Sequence, residues 1–223
     1  WVNAANMTNK GLEVQLTWSV NNQEDFRYSI SGNISTYKHE VNSLPENVRF
    51  GYGGNGLLDD IIGRPLNSFY GLVADGIYTT QEEVDNGPNQ PGKGVGRIRY
   101  KDLDGDGVIN EIFDRTWIGI SDPKLAAGLN FEGAYKNFDI SLFMQGIFGN
   151  SVRNTWKELS DFWNIGVQND RNHPSRILDA WSPLNPNSDI PALSRRDANA
   201  EKRFSTYFVE DGSYLRVKSL SLS

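Results

Sequence analysis

Apolar and polar side chains alternate without a break over residues 12–20, with Leu12, Val14, Leu16, Trp18 and Val20 on one face and Glu13, Gln15, Thr17 and Ser19 on the other. A period of two puts successive side chains on opposite sides of an extended backbone, so this segment is a strand. After the polar run at residues 21–25 the alternation resumes, with Phe26, Tyr28, Ile30 and Ile34 against Arg27, Ser29, Ser31, Asn33 and Ser35. The two segments form a hairpin with a short turn. A second pair follows: Leu125, Ala127, Leu129, Phe131 and Tyr135 lead through Lys136 and Asn137 into Phe138, Ile140, Leu142 and Met144, which oppose Asp139, Ser141 and Gln145. A two-residue connection between strands is a tight hairpin turn. A last strand is expected from Tyr207 to the end, with a bulge where the apolar parity shifts between Val217 and Leu220.

Between these strands lie two excursions, about residues 37–124 and 151–206, too long to be plain connectors in a compact domain. Short turns alternating with large loops are the layout of an outer-membrane barrel, whose periplasmic connections are tight and whose external ones are long. Trp18, Phe26, Tyr28, Tyr135 and Phe138 stand at strand ends beside the short turns, where an interfacial aromatic girdle sits. The competing reading is a water-soluble antiparallel sandwich, whose strands also alternate but bury their apolar faces against each other.

Composition narrows the classes. The 223 residues carry 22 Lys and Arg against 28 Asp and Glu, a formal net charge of -6, which argues against a nucleic-acid clamp. No stretch approaches the run of about 18 apolar residues that a spanning helix needs, which leaves a spanning barrel open. With no Cys there are no disulfides, thiolate nucleophiles or Cys-based metal centres, and either a reducing or an exported setting fits. The first residues, Trp1-Val2-Asn3-Ala4, show no initiator Met or signal segment, as expected of a processed chain or an internal piece of a longer one.

Residues 101–115 concentrate five acids, with no base between Asp102 and Asp114. Such crowding is costly unless a cation sits among the carboxylates. Asp102, Asp104 and Asp106 occupy positions 1, 3 and 5 of an EF-hand-type calcium loop; Gly107 supplies the turn, Val108 offers its carbonyl, Ile109 is the apolar residue after it, and Asn110 follows. The closing position departs from that pattern: Phe113 stands there, with Asp114 one residue late and Glu111 as a second candidate. No helical periodicity precedes the loop, so a structural Ca2+ is expected and not a paired sensor.

Taken together, Gly63-Arg64-Pro65-Leu66, Phe69-Tyr70-Gly71, Asp75-Gly76-Ile77-Tyr78, the run from Ile98-Arg99-Tyr100 through Ile109-Asn110, Asp114-Arg115-Thr116, Tyr135-Lys136-Asn137-Phe138-Asp139 and Glu210-Asp211-Gly212-Ser213-Tyr214-Leu215-Arg216 resemble the SusC/RagA family of TonB-dependent outer-membrane transporters. The resemblance runs in order through nearly the whole chain. It implies an all-β fold: antiparallel strands from the C-terminal part of a barrel of about 22 strands, with long extracellular loops that carry short helices and the EF-hand-like loop. The plug and TonB-contacting segment would lie outside residues 1–223. It further implies import of oligosaccharides or similar large nutrients across the outer membrane of a Gram-negative bacterium, powered through TonB and completed by a SusD-like surface lipoprotein. The family pattern sets its closing acid directly before Arg-Thr, which favours Asp114 as the last ligand beside Asp102, Asp104, Asp106, Val108 and Asn110.

The remaining motifs carry less. Gly51 to Gly56 satisfies GxGxxG, but no strand and helix flank it as a dinucleotide site requires. His39 and His173 are each expected in a polar loop and suggest no zinc site or triad. Trp156 and Trp163, seven apart, fall on one face of a short helix, and Trp181 follows; such rings either pack within their loop or stack on sugar faces. No active site is evident, so the chain is expected to bind and move solute without chemistry. The alternative is a soluble, calcium-stabilised β-domain that binds carbohydrate.

Overall fold

The computed structural model describes residues 5–21, 25–57, 59–162, 172–194 and 199–223. In chain order the strands are β1 (Asn6–Val20), β2 (Phe26–Ser43), β3 (Ser68–Leu72), β4 (Ala74–Ile77), β5 (Ile98–Tyr100), β6 (Arg115–Ile120), β7 (Leu125–Tyr135), β8 (Phe138–Phe148), β9 (Ser151–Arg153), β10 (Val209–Asp211) and β11 (Tyr214–Leu222). Five of them form one antiparallel sheet in the order β1-β2-β7-β8-β11. β1 and β11 are both edges, so the sheet does not close on itself within this chain.

The two hairpins meet edge to edge, through a ladder that pairs Phe26 with Tyr135 and Ile30 with Phe131, and not face to face. Their apolar sides therefore merge into one surface. Across the rows, Trp18 pairs with Ile30, Ile30 with Phe131, Phe131 with Leu142 and Leu142 with Leu220. This surface faces away from the rest of the molecule: Leu16 is 73% exposed, Trp18 68% and Leu220 67%. The opposite side of the same strands is mainly polar, with Ser29 paired to Glu132 and Glu132 to Ser141, and Asn33 paired to Gly128 and Gly128 to Gln145, while Phe143 lies on this side opposite Asn130. A sandwich would have buried the apolar side; here it is the side that stays open.

Two short turns close one end of the sheet. Lys136 takes φ 53 in the β7–β8 turn, which lets Tyr135 and Phe138 pair directly. Phe26 packs on Tyr28 and Tyr135 beside it, with ring centroids 5.6 and 6.5 Å apart. At the other end β2 continues to Ser43, seven residues into the first expected excursion, because its ladder with β1 runs on to Asn6, and Val41 also joins the loop layer by donating to the Arg64 carbonyl at 2.9 Å. The strand expected from Tyr207 is also divided. Thr206–Phe208 is a 3-10 turn, β10 pairs with β9, and a break at Gly212 and Ser213, held by Asp211 accepting from Ser213, separates it from β11. The bulge foreseen in β11 is present, between Val217 and Ser219.

The buried core lies outside the large sheet, in the layer made by the two excursions. Leu72, Ile98, Tyr100 and Ile109 from the first pack on Phe162 from the second and on Phe208 just beyond its end. Backbone bonds stitch the same seam, with Leu72 N donating to Phe204 O at 2.9 Å and Ala74 N to Thr206 Oγ1 at 2.9 Å. No helix among the described residues is long and apolar enough to cross a membrane, a fact that does not bear on strands.

Candidate functional site

The acidic segment connects β5 to β6. Both ends are fixed: β5 pairs with β4 and β6 with β3. Between them Asp102, Asp104 and Asp106 each turn a carboxylate oxygen inward, all within 4.8 Å of one another. Asp102 organises the loop, its Oδ1 accepting from Gly105 N at 2.7 Å and its Oδ2 from Gly107 N at 2.8 Å. Asp106 accepts from Val108 N at 2.7 Å. Gly105 and Gly107 have φ 77 and 81, in the left-handed region open to glycine, and neither would meet an atom with a Cβ, so backbone conformation alone demands them.

The electrostatics separate neighbours. Amide donors from Gly107 and Gly105 hold the Asp102 carboxyl below its ordinary range. Asp104 is pushed up, first by loss of hydration and then by the charges of Asp106 and Asp114. A set of close carboxylates, one of which resists ionisation, is an oxygen cluster that lacks positive charge, and hard oxygen donors at this spacing suit Ca2+.

The closing residues resolve differently from the linear spacing. Asp114 is fully buried, with Oδ1 accepting from Leu103 N at 2.8 Å and Oδ2 from Asn110 N at 2.7 Å. Glu111 faces outward in a 3.9 Å ion pair with Arg115. Asn110 caps the turn between them, its Oδ1 accepting from Ile112 and Phe113 N. That turn absorbs the extra residue and returns Asp114 beneath the loop. Asp114 thus clamps the two arms of the loop and stands outside the set of three oxygens. The loop is also tied to its surroundings: Asn89 N donates to Gly107 O at 2.7 Å, Ile109 N to Asn89 O at 2.8 Å, and Ile109 enters the core.

Next to Asn89, Gln90 begins a buried polar lock between the excursions. Its amide donates to Ile98 O and Asn199 Oδ1, each at 2.8 Å, and Glu201 pairs with Arg97 at 3.0 Å. Asp161, also buried, accepts from Arg176 Nε at 2.8 Å, Tyr207 OH at 2.6 Å and Ser160 Oγ at 2.6 Å. These positions carry no sequence motif. Only their mixed charge within a loop could have flagged them.

The two described tryptophans of this set differ in exposure. Trp181 is buried against Gly96 and Ala192, whereas Trp156 is 65% exposed. Helix covers only Lys157–Ser160, since residues 151–153 belong to β9; Trp163 lies outside the described residues. His39 belongs to β2 and not to a loop, and its Nε2 lies 2.6 Å from Asp122 Oδ2. On the polar side of the sheet, near the short turns, a pocket of about 520 Å3 is lined by Arg27, Ser29, Glu132, Asp139 and Ser141.

Three curated or solved relatives bear on these surfaces. The chain is 32% identical over 239 residues to TonB-dependent receptor P3 of Formosa agariphila, covering 98% of this chain and 22% of that protein. It is 30% identical over 226 residues to TonB-dependent receptor P26 of the same organism, covering 99% and 22%. The solved structure of the RagAB peptide transporter superposes with a TM-score of 0.71 at 22% identity, over 99% of this chain and 23% of that one. No protein-family model matches. The chain thus spans about a fifth of the length of the curated relatives it matches, and the SusC/RagA resemblance read from its motifs is met by TonB-dependent receptors from end to end.

Proposed function

We infer that this chain, a stretch of a TonB-dependent receptor of the SusC/RagA type, is part of a barrel wall and external loops that import a large nutrient across the outer membrane of a Gram-negative bacterium. The observation that carries this reading is the sheet itself: one continuous exposed apolar face, one polar face, short turns at one end and a folded loop layer at the other. Lipid would cover the apolar face and solute would pass along the polar one. Solute is held without covalent chemistry and released by conformational change driven through TonB, whose contact segment would lie elsewhere in the full receptor.

The cargo in this reading is an oligosaccharide or similar large nutrient, captured together with a SusD-like surface lipoprotein acting on the loop layer. Trp156 is the exposed ring suited to stack on such a ligand. A peptide cargo is the second reading, favoured by the fold shared with a RagAB peptide transporter. In the loop, Asp102, Asp104 and Asp106 would hold Ca2+ with the Val108 carbonyl, Asn110 would brace the turn, and Asp114 would close the loop from beneath.

The test is uptake by cells that produce the full receptor. Replacing Trp156 with Ala should reduce glycan-dependent growth and leave receptor abundance unchanged. Growth on peptide lost in place of growth on glycan would favour the second reading. A receptor recovered from the soluble fraction, folded without detergent, would overturn the barrel assignment.

A further inference from the structure

We propose that the outward rim of β1 and β2 binds the phosphate of a lipid headgroup in the outer leaflet, through Lys10 and Lys38; this rests on the barrel reading above. Side-chain parity runs unbroken from the apolar face to this rim. Leu12, Val14, Leu16 and Trp18 face outward on β1, and the next outward position beyond Leu12 is Lys10. On β2 the outward series is Ile34, Thr36, Lys38 and Glu40. The register sets Lys10 directly opposite Lys38.

The opposite side at this level is occupied by the loop layer, which buries Val41 completely and engages His39 through Asp122. Both lysines are instead exposed. Two like charges directly across a strand pair destabilise it unless something of opposite sign meets them. Lys38 is paired with Glu40. Lys10 makes no ion pair among the described residues, but its charge also acts on Glu40, so one carboxylate faces two ammonium groups and the group of three keeps a net positive charge. Just above, Asn42 Nδ2 donates to Thr8 Oγ1 at 2.6 Å, so the face turns from apolar to polar within a few residues.

Height selects the partner. Twelve residues separate Lys38 from Phe26 in the girdle beside the short turns. At ~3.3 Å per residue and a barrel tilt near 40°, that is roughly 30 Å above the girdle. The apolar band of such barrels is about 25 Å tall, so the ammonium groups emerge at the headgroup level. The long loops make this the external end in the barrel reading, and the anion we assign to that depth is the phosphate of an outer-leaflet lipid headgroup. Lysine stems lie along the apolar face while their heads reach that layer.

The experiment uses the full receptor in phosphatidylcholine nanodiscs, titrated with lipid A and with dephosphorylated lipid A, and compares it with the double variant Lys10→Gln, Lys38→Gln. The wild type should bind the phosphorylated lipid more tightly, and the variant should lose about thirtyfold of that affinity. Equal binding of both lipids by the wild type, or unchanged binding by the variant, overturns the proposal while a receptor inserted in the disc leaves the barrel reading standing. A receptor that does not insert overturns both.

Discussion

At the scale of single residues, two carboxylates in the loop layer have separate tasks, and each can be perturbed alone. Asp104 sits among like charges at the surface of the acidic loop. Its replacement by Asn removes one ligand charge and should weaken Ca2+ binding by about tenfold, measured by calorimetry on the full receptor, since ligand charge count tunes such sites. Chelation should speed hydrogen exchange over residues 102–114. Exchange indifferent to chelation would remove calcium from the account. Asp161 instead belongs to the seam. Burial raises its carboxyl, but hydrogen bonds from Arg176, Ser160 and Tyr207 outweigh that and hold it below its ordinary value. A carboxyl lowered on folding adds stability above its unfolded pKa of about 3.9, and that stability is lost as pH falls through the folded value. Proteolytic resistance of the seam should therefore drop in acid below about pH 4. Asp161→Asn should cost about 2 kcal/mol at neutral pH, because Arg176 is half open to water, and should flatten that acid limb.

At the scale of elements, strands and turns were legible because period two and turn chemistry are local. The alternation at residues 12–20 and 125–144, the Lys136-Asn137 turn and the bulge after Val217 all correspond to what the side chains dictate. The partition of the last strand was not, since it depends on Asn150 and β9 arriving from sixty residues away to pair with β10 and accept from Gly212. The position of Asp114 was half legible: its candidacy follows from the motif, but its place beneath the loop follows from the cap made by Asn110. The two faces make opposite demands on the same strand. Leu16→Arg puts a charge on the exposed apolar face and should destabilise the receptor in bilayers by about 2–4 kcal/mol, whereas Gln15→Arg on the polar face should cost little. Equal costs at the two sites would show that the faces are not distinct. In the turn, Lys136→Gly removes a left-handed non-glycine residue and should raise stability by about 1 kcal/mol in denaturant titration.

At the scale of the whole molecule, what holds the chain together and what it exposes lie in different places. The loop layer has its own buried core, a buried polar lock and paired small sheets, all closing within residues of this chain. The large sheet has one side that no described residue covers, and among the described strands β1 and β11 keep unpaired outer edges. Such edges recruit other strands, and such a face recruits lipid or a second copy of itself. Residues 1–223 produced alone should therefore aggregate in buffer and be recovered in detergent, with the loop layer protected and the sheet labile. Hydrogen exchange would separate the two: slow over Leu72, Ile98, Tyr100 and Phe208, fast over the outer strands β1 and β11. A monodisperse, detergent-free monomer with protected outer strands would mean that the apolar face finds a partner within the chain, which the edge-to-edge union of the hairpins does not permit. Restoring the neighbouring strands on both sides should reverse the contrast, because each edge then gains a full ladder and the face gains a bilayer. In the proposed barrel the stability of the wall would thus be set by neighbouring strands, whereas the loop layer closes its core within the described residues of this chain.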